Sequence, residues 1–149
     1  MKNAYMKKSK SDNWATPRYL FEETCKQFNV FPDLDVCASE SNRKCWYYFD
    51  ENTDGLKQQW DQTFWMNPPF SNAGKWIEYA FNQHRKWNVS GIALLASRTD
   101  TKAWHKFIFN DPNCEVIFLE GRIKYLDENN IESKNPSPFP SAVVCWNKF

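Results

Sequence analysis

The run Asn67-Pro68-Pro69-Phe70 is the part of this 149-residue chain best suited to chemistry. Two successive prolines fix φ and remove two backbone donors, which leaves a rigid turn that presents carbonyl acceptors. The carboxamide oxygen of Asn67 and the carbonyl of Pro68 can together accept both hydrogens of an exocyclic amino group. Phe70 supplies a face on which the planar base can stack. An aromatic amine is a poor nucleophile because its lone pair is delocalised into the ring. Two acceptors outside the base plane draw the nitrogen toward a tetrahedral geometry and stabilise the positive charge that develops as it attacks a methyl donor. No general base with a tuned pKa is needed before attack, which suits a chain with 2 His. Read without chemistry, the same run is a strand-terminating turn with a buried aromatic. Asp35, at the end of an apolar stretch, and Asp54, in a turn, stand where acids commonly cap turns.

The elements that must position these residues follow from periodicity and punctuation. Thr16-Pro17 reads as a helix start, with Thr16 as N-cap and Pro17 at the first helical position. Leu20, Phe21, Thr24, Cys25 and Phe28 mark one face of that helix, which ends near Asn29. Residues 30–38 read as a strand and turn, 40–46 as a short helix, 46–49 as a second strand, and 50–55 as a turn. Residues 63–66 form a third strand, stopped by the prolines. A helix over 73–87 carries Trp76, Tyr79, Ala80, Gln83 and Trp87 along one side. Residues 91–96 are apolar on both faces, as in a buried parallel strand. Asp100 caps a helix to about Phe109, 115–119 is a strand, 127–140 is a polar loop, and 141–146 is the last strand. Alternating strands and helices predict an α/β fold with a mostly parallel sheet covered on both faces. In such sheets ligands sit at the carboxyl ends of the strands.

Composition narrows the classes. Hydrophobic residues are 42% and charged residues 25%, a balance that fits a globular protein rather than a disordered one. No apolar run approaches the roughly 20 residues of a membrane span, and the basic N-terminus has no apolar segment behind it, so the cytoplasm is the expected compartment. Five scattered cysteines and two histidines, with no CxxC pair, predict neither a zinc site nor a disulfide framework. Charge is uneven: +4 over residues 1–18, −5 over 19–65 and +2 over 66–149. Residues 1–12 read as a flexible basic arm, and 13–149 as a single domain.

Seven segments in order resemble a known family. They are Trp14-Ala15-Thr16-Pro17, Leu34-Asp35-Val36-Cys37-Ala38, Asp54-Gly55-Leu56, Asn67-Pro68-Pro69-Phe70, Ser97-Arg98-Thr99-Asp100-Thr101, Gly121-Arg122-Ile123-Lys124 and Pro138-Phe139-Pro140-Ser141. The tetrapeptide is similar to the catalytic motif of S-adenosylmethionine-dependent amino-methyltransferases. The whole set resembles the phage-type DNA N-6-adenine methyltransferases, the phage Dam family. The resemblance implies a Rossmann-like methyltransferase fold with an antiparallel last strand, S-adenosylmethionine as methyl donor, and adenine N6 in DNA as acceptor. It implies that Trp14, Thr16 and Pro17 cover the methionine end of the cofactor. Asp35, followed by Cys37 and Ala38, takes the ammonium group, Asp54 takes the amino group of the cofactor's adenine, and Asn67 lies between cofactor and base. An acidic middle segment suits such a cationic ligand.

The sequence departs from the family in three places. The first loop, Ala38-Ser39-Glu40-Ser41, has no Gly-x-Gly. No clear ribose-binding acid follows it, Asp50 and Glu51 being the candidates. Phe70 stands where Tyr is commoner, and stacking needs a ring rather than a hydroxyl. A base inside a duplex cannot reach such a site, so the target is flipped out or single-stranded. Lys75, Arg98, Thr99, Arg122 and Lys124 are the candidate DNA contacts, with Arg122 alternatively a structural brace. With only residues 127–140 free for recognition, the expected target sequence is short or degenerate. Other amine acceptors (cytosine N4, a glutamine amide) and a non-catalytic nucleic-acid-binding module on the same fold are the competing readings. A monomer without a membrane partner is expected.

Overall fold

The structure is a computed structural model, and it describes residues 14–148; the predicted arm over 1–12 lies outside them. Helix α1 (Arg18–Phe28) leads into strands β1 (Leu34–Asp35) and β2 (Tyr47–Tyr48). A 3-10 turn at Gly55–Lys57 precedes β3 (Phe64–Met66), and another at Phe70–Asn72 leads into α2 (Ala73–Trp87). Strand β4 (Gly91–Ala96) and a short helix α3 (Lys102–Trp104), which widens into a π-type turn over His105–Phe109, come next. Strands β5 (Cys114–Phe118) and β6 (Ser141–Trp146) complete the sheet.

The six strands lie in the order β2-β1-β3-β4-β6-β5. The pairs β1–β2, β1–β3 and β3–β4 are parallel, and β6 runs antiparallel between β4 and β5. This is the expected α/β architecture of a Rossmann-like methyltransferase, antiparallel last strand included. Alternation along the strands builds two cores. Phe64, Met66, Ala93, Leu95, Val144 and Trp146 face α2 and α3, where they meet Trp76, Ile77, Ala80, Trp104 and Ile108. Trp65, Ile92, Leu94, Val143 and Cys145 face α1, where they meet Phe21 and Cys25. Helices thus cover both faces.

Several local expectations are corrected. Helix α1 is capped by Pro17, not Thr16, because the Thr16 hydroxyl is engaged by Asn67. The strand read over 30–38 shrinks to Leu34–Asp35: Pro32 has no N–H for a ladder, and the Phe31 side chain is exposed. Residues 40–46 are not helical. Their short polar side chains bond the local backbone instead, with Ser39 N–H donating to Asn42 Oδ1 at 2.7 Å and Asn42 N–H to Ser39 Oγ at 3.3 Å. Thr101, not Asp100, caps α3, its hydroxyl accepting from Trp104 N–H. In α2 the buried face includes Ile77 and His84 beside Trp76, Ala80 and Gln83.

Strand order decides where a ligand fits. The chain runs outward from β1 to β2, then crosses back to place β3 on the other side of β1. Such a reversal opens a crevice at the carboxyl ends of the two strands on either side of it. Asp35 ends β1 and Asn67 follows β3, so the topology delivers both to one crevice.

Candidate active site

A cavity of about 890 Å³ occupies that crevice. Trp14, Thr16, Asp35, Cys37, Ala38, Asp54 and Asn67 all line it, together with Pro69. The sequence-predicted cofactor residues are therefore brought together, except Pro17, which is buried at the head of α1 and does not line the cavity. Both ribose candidates, Asp50 and Glu51, also line it. Ser39, Asn42, Lys44, Trp76, Asp127 and Glu128 are lining residues that the sequence reading did not single out.

Asp35 is 3% exposed. Its Oδ1 accepts from Cys37 N–H at 3.3 Å and its Oδ2 from Lys44 N–H at 2.9 Å. Burial pushes its carboxyl up to about 7, against those two N–H groups and the charges of Lys44 and Arg18. A buried carboxyl at a cavity wall is poised to ionise when a cation arrives. The Cys37 thiol is likewise pushed up to about 12, chiefly by burial and then by Asp35, so it is not a thiolate nucleophile.

Asp54 sits at φ 59°, outside the usual region for a non-glycine residue. Its Oδ1 accepts from Leu56 N–H at 3.1 Å and so caps the Gly55–Lys57 turn, while Oδ2 lies 4.0 Å from an exposed Lys57. The next residue must be glycine: a Cβ on Gly55 would stand 2.2 Å from the Val36 carbonyl oxygen. Trp60, fully buried, donates its indole N–H to the Gly55 carbonyl at 2.8 Å. The aromatic core thereby sets the height of the Asp54 loop above the sheet. Asp50 accepts from the N–H and hydroxyl of Thr53, which hold its carboxyl below the usual range.

The Asn67 carboxamide is bonded across the cavity wall. Its Nδ2 donates to the Trp14 carbonyl at 2.8 Å and to Thr16 Oγ1 at 3.0 Å. Pro68 is buried, and Pro69 and Phe70 are half-buried. Phe70 does not line the cavity. Its ring stands edge-on to Tyr125 and Phe139, at 5.8 and 5.6 Å between centroids.

The DNA-contact candidates stay outside the cavity. Lys75, Arg98, Arg122 and Lys124 are exposed and Thr99 is half-buried. The Arg98 guanidinium lies 4.4 Å from the Phe139 ring centre, beside Phe70. Arg122 donates to the carbonyls of Pro138 at 2.6 Å and Ser137 at 3.4 Å, bracing the loop before β6.

Among the described residues, no three His, Cys, Asp or Glu side chains gather as a metal site, and no helix is long and apolar enough to cross a membrane. The five thiols are free, and Cys25, Cys45 and Cys145 are buried.

The comparisons with known proteins agree with one another. A DNA N-6-adenine-methyltransferase of Haemophilus phage HP1 is 30% identical over 147 residues, covering 98% of this chain and 84% of its own length. A DNA N-6-adenine-methyltransferase of Escherichia phage T1 is 30% identical over 111 residues, which is 73% of this chain and 45% of that protein. The sequence model of DNA N-6-adenine-methyltransferase (Dam) matches residues 3–149. With that match over nearly its whole length, and Asp35 and Asn67 meeting at the crevice between β1 and β3, the chain belongs to the DNA N-6-adenine-methyltransferase (Dam) family.

Proposed function

We propose that this chain transfers the methyl group of S-adenosylmethionine to the N6 amino group of adenine in DNA, in the cytoplasm, with the target nucleotide turned out of its stack beside Asn67-Pro68-Pro69-Phe70. The observation that carries this reading is the convergence of Asp35, Asp54 and Asn67 on one cavity in a member of this family. S-adenosylmethionine, when bound, supplies a methyl group on a cationic sulfur. The donor set fits it, with the buried Asp35 carboxyl at the cavity wall, a second carboxylate at Asp54, and apolar walls from Val36, Leu56 and Trp76.

In this reading Asp35 receives the ammonium group of the donor, flanked by the backbone of Cys37 and Ala38. Asp54 accepts from the adenine amino group of the donor, and Trp14 and Thr16, backed by the buried Pro17, close over its methionine end. On the acceptor side, Asn67 Oδ1 and the Pro68 carbonyl accept hydrogen bonds from the two hydrogens of the target amino group, one of which leaves as a proton to water once the methyl group is transferred. The two acceptors draw the amino lone pair out of the ring, and the growing positive charge meets two fixed dipoles. The ring of Phe70 stacks on the base. Lys75, Arg98, Thr99, Arg122 and Lys124 meet the DNA, largely at phosphates, so binding weakens as salt rises. Residues 13–149 act as one methyltransferase domain with a short or degenerate target.

The test is methyl transfer from labelled S-adenosylmethionine to unmethylated DNA, beside Asn67→Ala, with nucleoside analysis of the product. Labelled N6-methyladenine is expected from the parent, and about 100-fold less from the variant. Label on cytosine N4, or on protein, would move the acceptor. Cofactor binding without transfer to DNA would sink the adenine reading.

A further inference from the structure

The nitrogen of Asn67 is the end of its carboxamide that the protein holds. A carbonyl oxygen carries no proton, so the amide atom 2.8 Å from the Trp14 carbonyl must be the donor, Nδ2. The reversed orientation would bring two oxygens together. The second Nδ2 contact, at 3.0 Å, goes to Thr16 Oγ1. Both amide hydrogens are therefore spent inside the protein, and Oδ1 is the atom left to face an incoming donor.

The two partners are themselves fixed. Ala15, between them, exchanges backbone hydrogen bonds with Leu126, its N–H donating at 3.1 Å and its carbonyl accepting at 2.9 Å. Pro17 follows as the cap of α1. Thr16 is 2% exposed and has little room to turn away. An unrestrained carboxamide at the end of a strand could present either its oxygen or its NH2 group. Only the oxygen can accept from an amine, and an outward NH2 would oppose the substrate's own hydrogens.

We infer that Thr16, acting with the Trp14 carbonyl, is a positioning residue that fixes the flip state of the Asn67 carboxamide and through it the rate of transfer. This rests on the reading of Asn67 Oδ1 as an acceptor. It adds to the cofactor contact that family resemblance assigns to Thr16: the same hydroxyl accepts from Asn67 Nδ2.

The experiment uses the full chain with Thr16→Val and Thr16→Ser. Three quantities are read: kcat with DNA, the dissociation constant of S-adenosylmethionine by calorimetry, and the Asn67 side-chain amide resonances by NMR without ligand. Thr16→Val should lower kcat by about tenfold, the effect of losing one of two hydrogen bonds, and cofactor affinity by a smaller factor than kcat. The Asn67 amide protons should exchange faster in Thr16→Val, and Thr16→Ser should restore both rate and protection. Unchanged kcat in Thr16→Val overturns the inference. So does a fall matched by lost cofactor affinity that Thr16→Ser does not rescue. Where Thr16→Val fails to fold, the parent decides: slow exchange of the Asn67 amide protons supports the lock, and fast exchange overturns it. Parent-level transfer by Asn67→Ala would instead remove the acceptor reading, and the NMR result would still report on the lock itself.

Discussion

The two halves of the sheet are built on different principles. Strands β4 and β6 are six residues each, and every residue in them is buried. Strands β1 and β2 have two residues and β3 has three. The first half is held by apolar side chains on both faces. The second shares that core through Leu34, Phe64, Trp65 and Met66 and adds side-chain-to-backbone hydrogen bonds in its loops: Asp35 to Cys37 and Lys44, Asp50 to Thr53, Asp54 to Leu56, Asn67 to Trp14. Apolar burial carries most of the folding free energy and is non-directional. Polar networks give little net stability but fix individual atoms. The molecule thus adds directional bonds on the side of the sheet where the cavity lies.

The largest expected departure between the halves comes from the β4–β6 side. Trp146 is fully buried, packs near Phe64, and donates its indole N–H to the Phe107 carbonyl. Trp146→Ala should lower stability by about 3–5 kcal/mol. Chemical denaturation measures this, and the folded fraction should still bind S-adenosylmethionine with parent affinity. A variant that lost affinity before stability would break the division.

Asp35→Asn should do the reverse, reducing cofactor affinity by about tenfold or more without a comparable loss of stability. Its pH signature sharpens the point. The folded carboxyl is raised from 3.8 to about 7 by burial. Between those values the native state binds more protons than the unfolded chain, so stability falls as pH rises through that window and levels off above it. Asp35→Asn should flatten that slope in denaturation curves. A cation bound at the carboxyl favours its ionised form, so parent affinity for the cofactor should rise with pH toward about 7 and above. Calorimetry across that range checks it, and an equal slope in the variant would detach the effect from Asp35.

The smallest effect is expected at Phe70. Phe70→Tyr adds a hydroxyl to a ring that already stands edge-on to Tyr125 and Phe139. Transfer should stay within about threefold of the parent, since stacking uses the ring face.

Legibility in sequence followed the same division. Helix α2 and strands β4 and β6 were readable residue for residue, and β3 and β5 to within one, because apolar runs there end in hard signals such as Asn67-Pro68-Pro69. The stretch 30–46 was harder. Its strand is only two residues long, and its polar side chains bond locally in ways that leave no period to detect. Asn67 could be singled out from type and position, whereas Asp35 and Asp54 stood out only through the resemblance of their segments to the family. The bonds that tie Asn67 to Trp14 and Thr16 span 53 and 51 residues and leave no periodic trace. One signal was available for the Asp54 loop: a glycine directly after an acid, in a chain with only 4 glycines, marks a place where backbone must approach backbone.

By itself, the amino-acid sequence determined the alternation of strands and helices, the apolar runs that become the core, and the rigid proline turn at Asn67–Phe70. These depend on local φ preferences and on side-chain periodicity, which each segment carries wherever it lies. The tertiary structure alone decided that β1 and β3 lie side by side, that Asp35 is buried enough to hold its proton to about 7, and that the Asn67 amide turns its nitrogen inward. Those properties belong to pairs of groups far apart in the chain. Desolvation and hydrogen-bond direction exist only once folding has brought such groups together and removed the water between them.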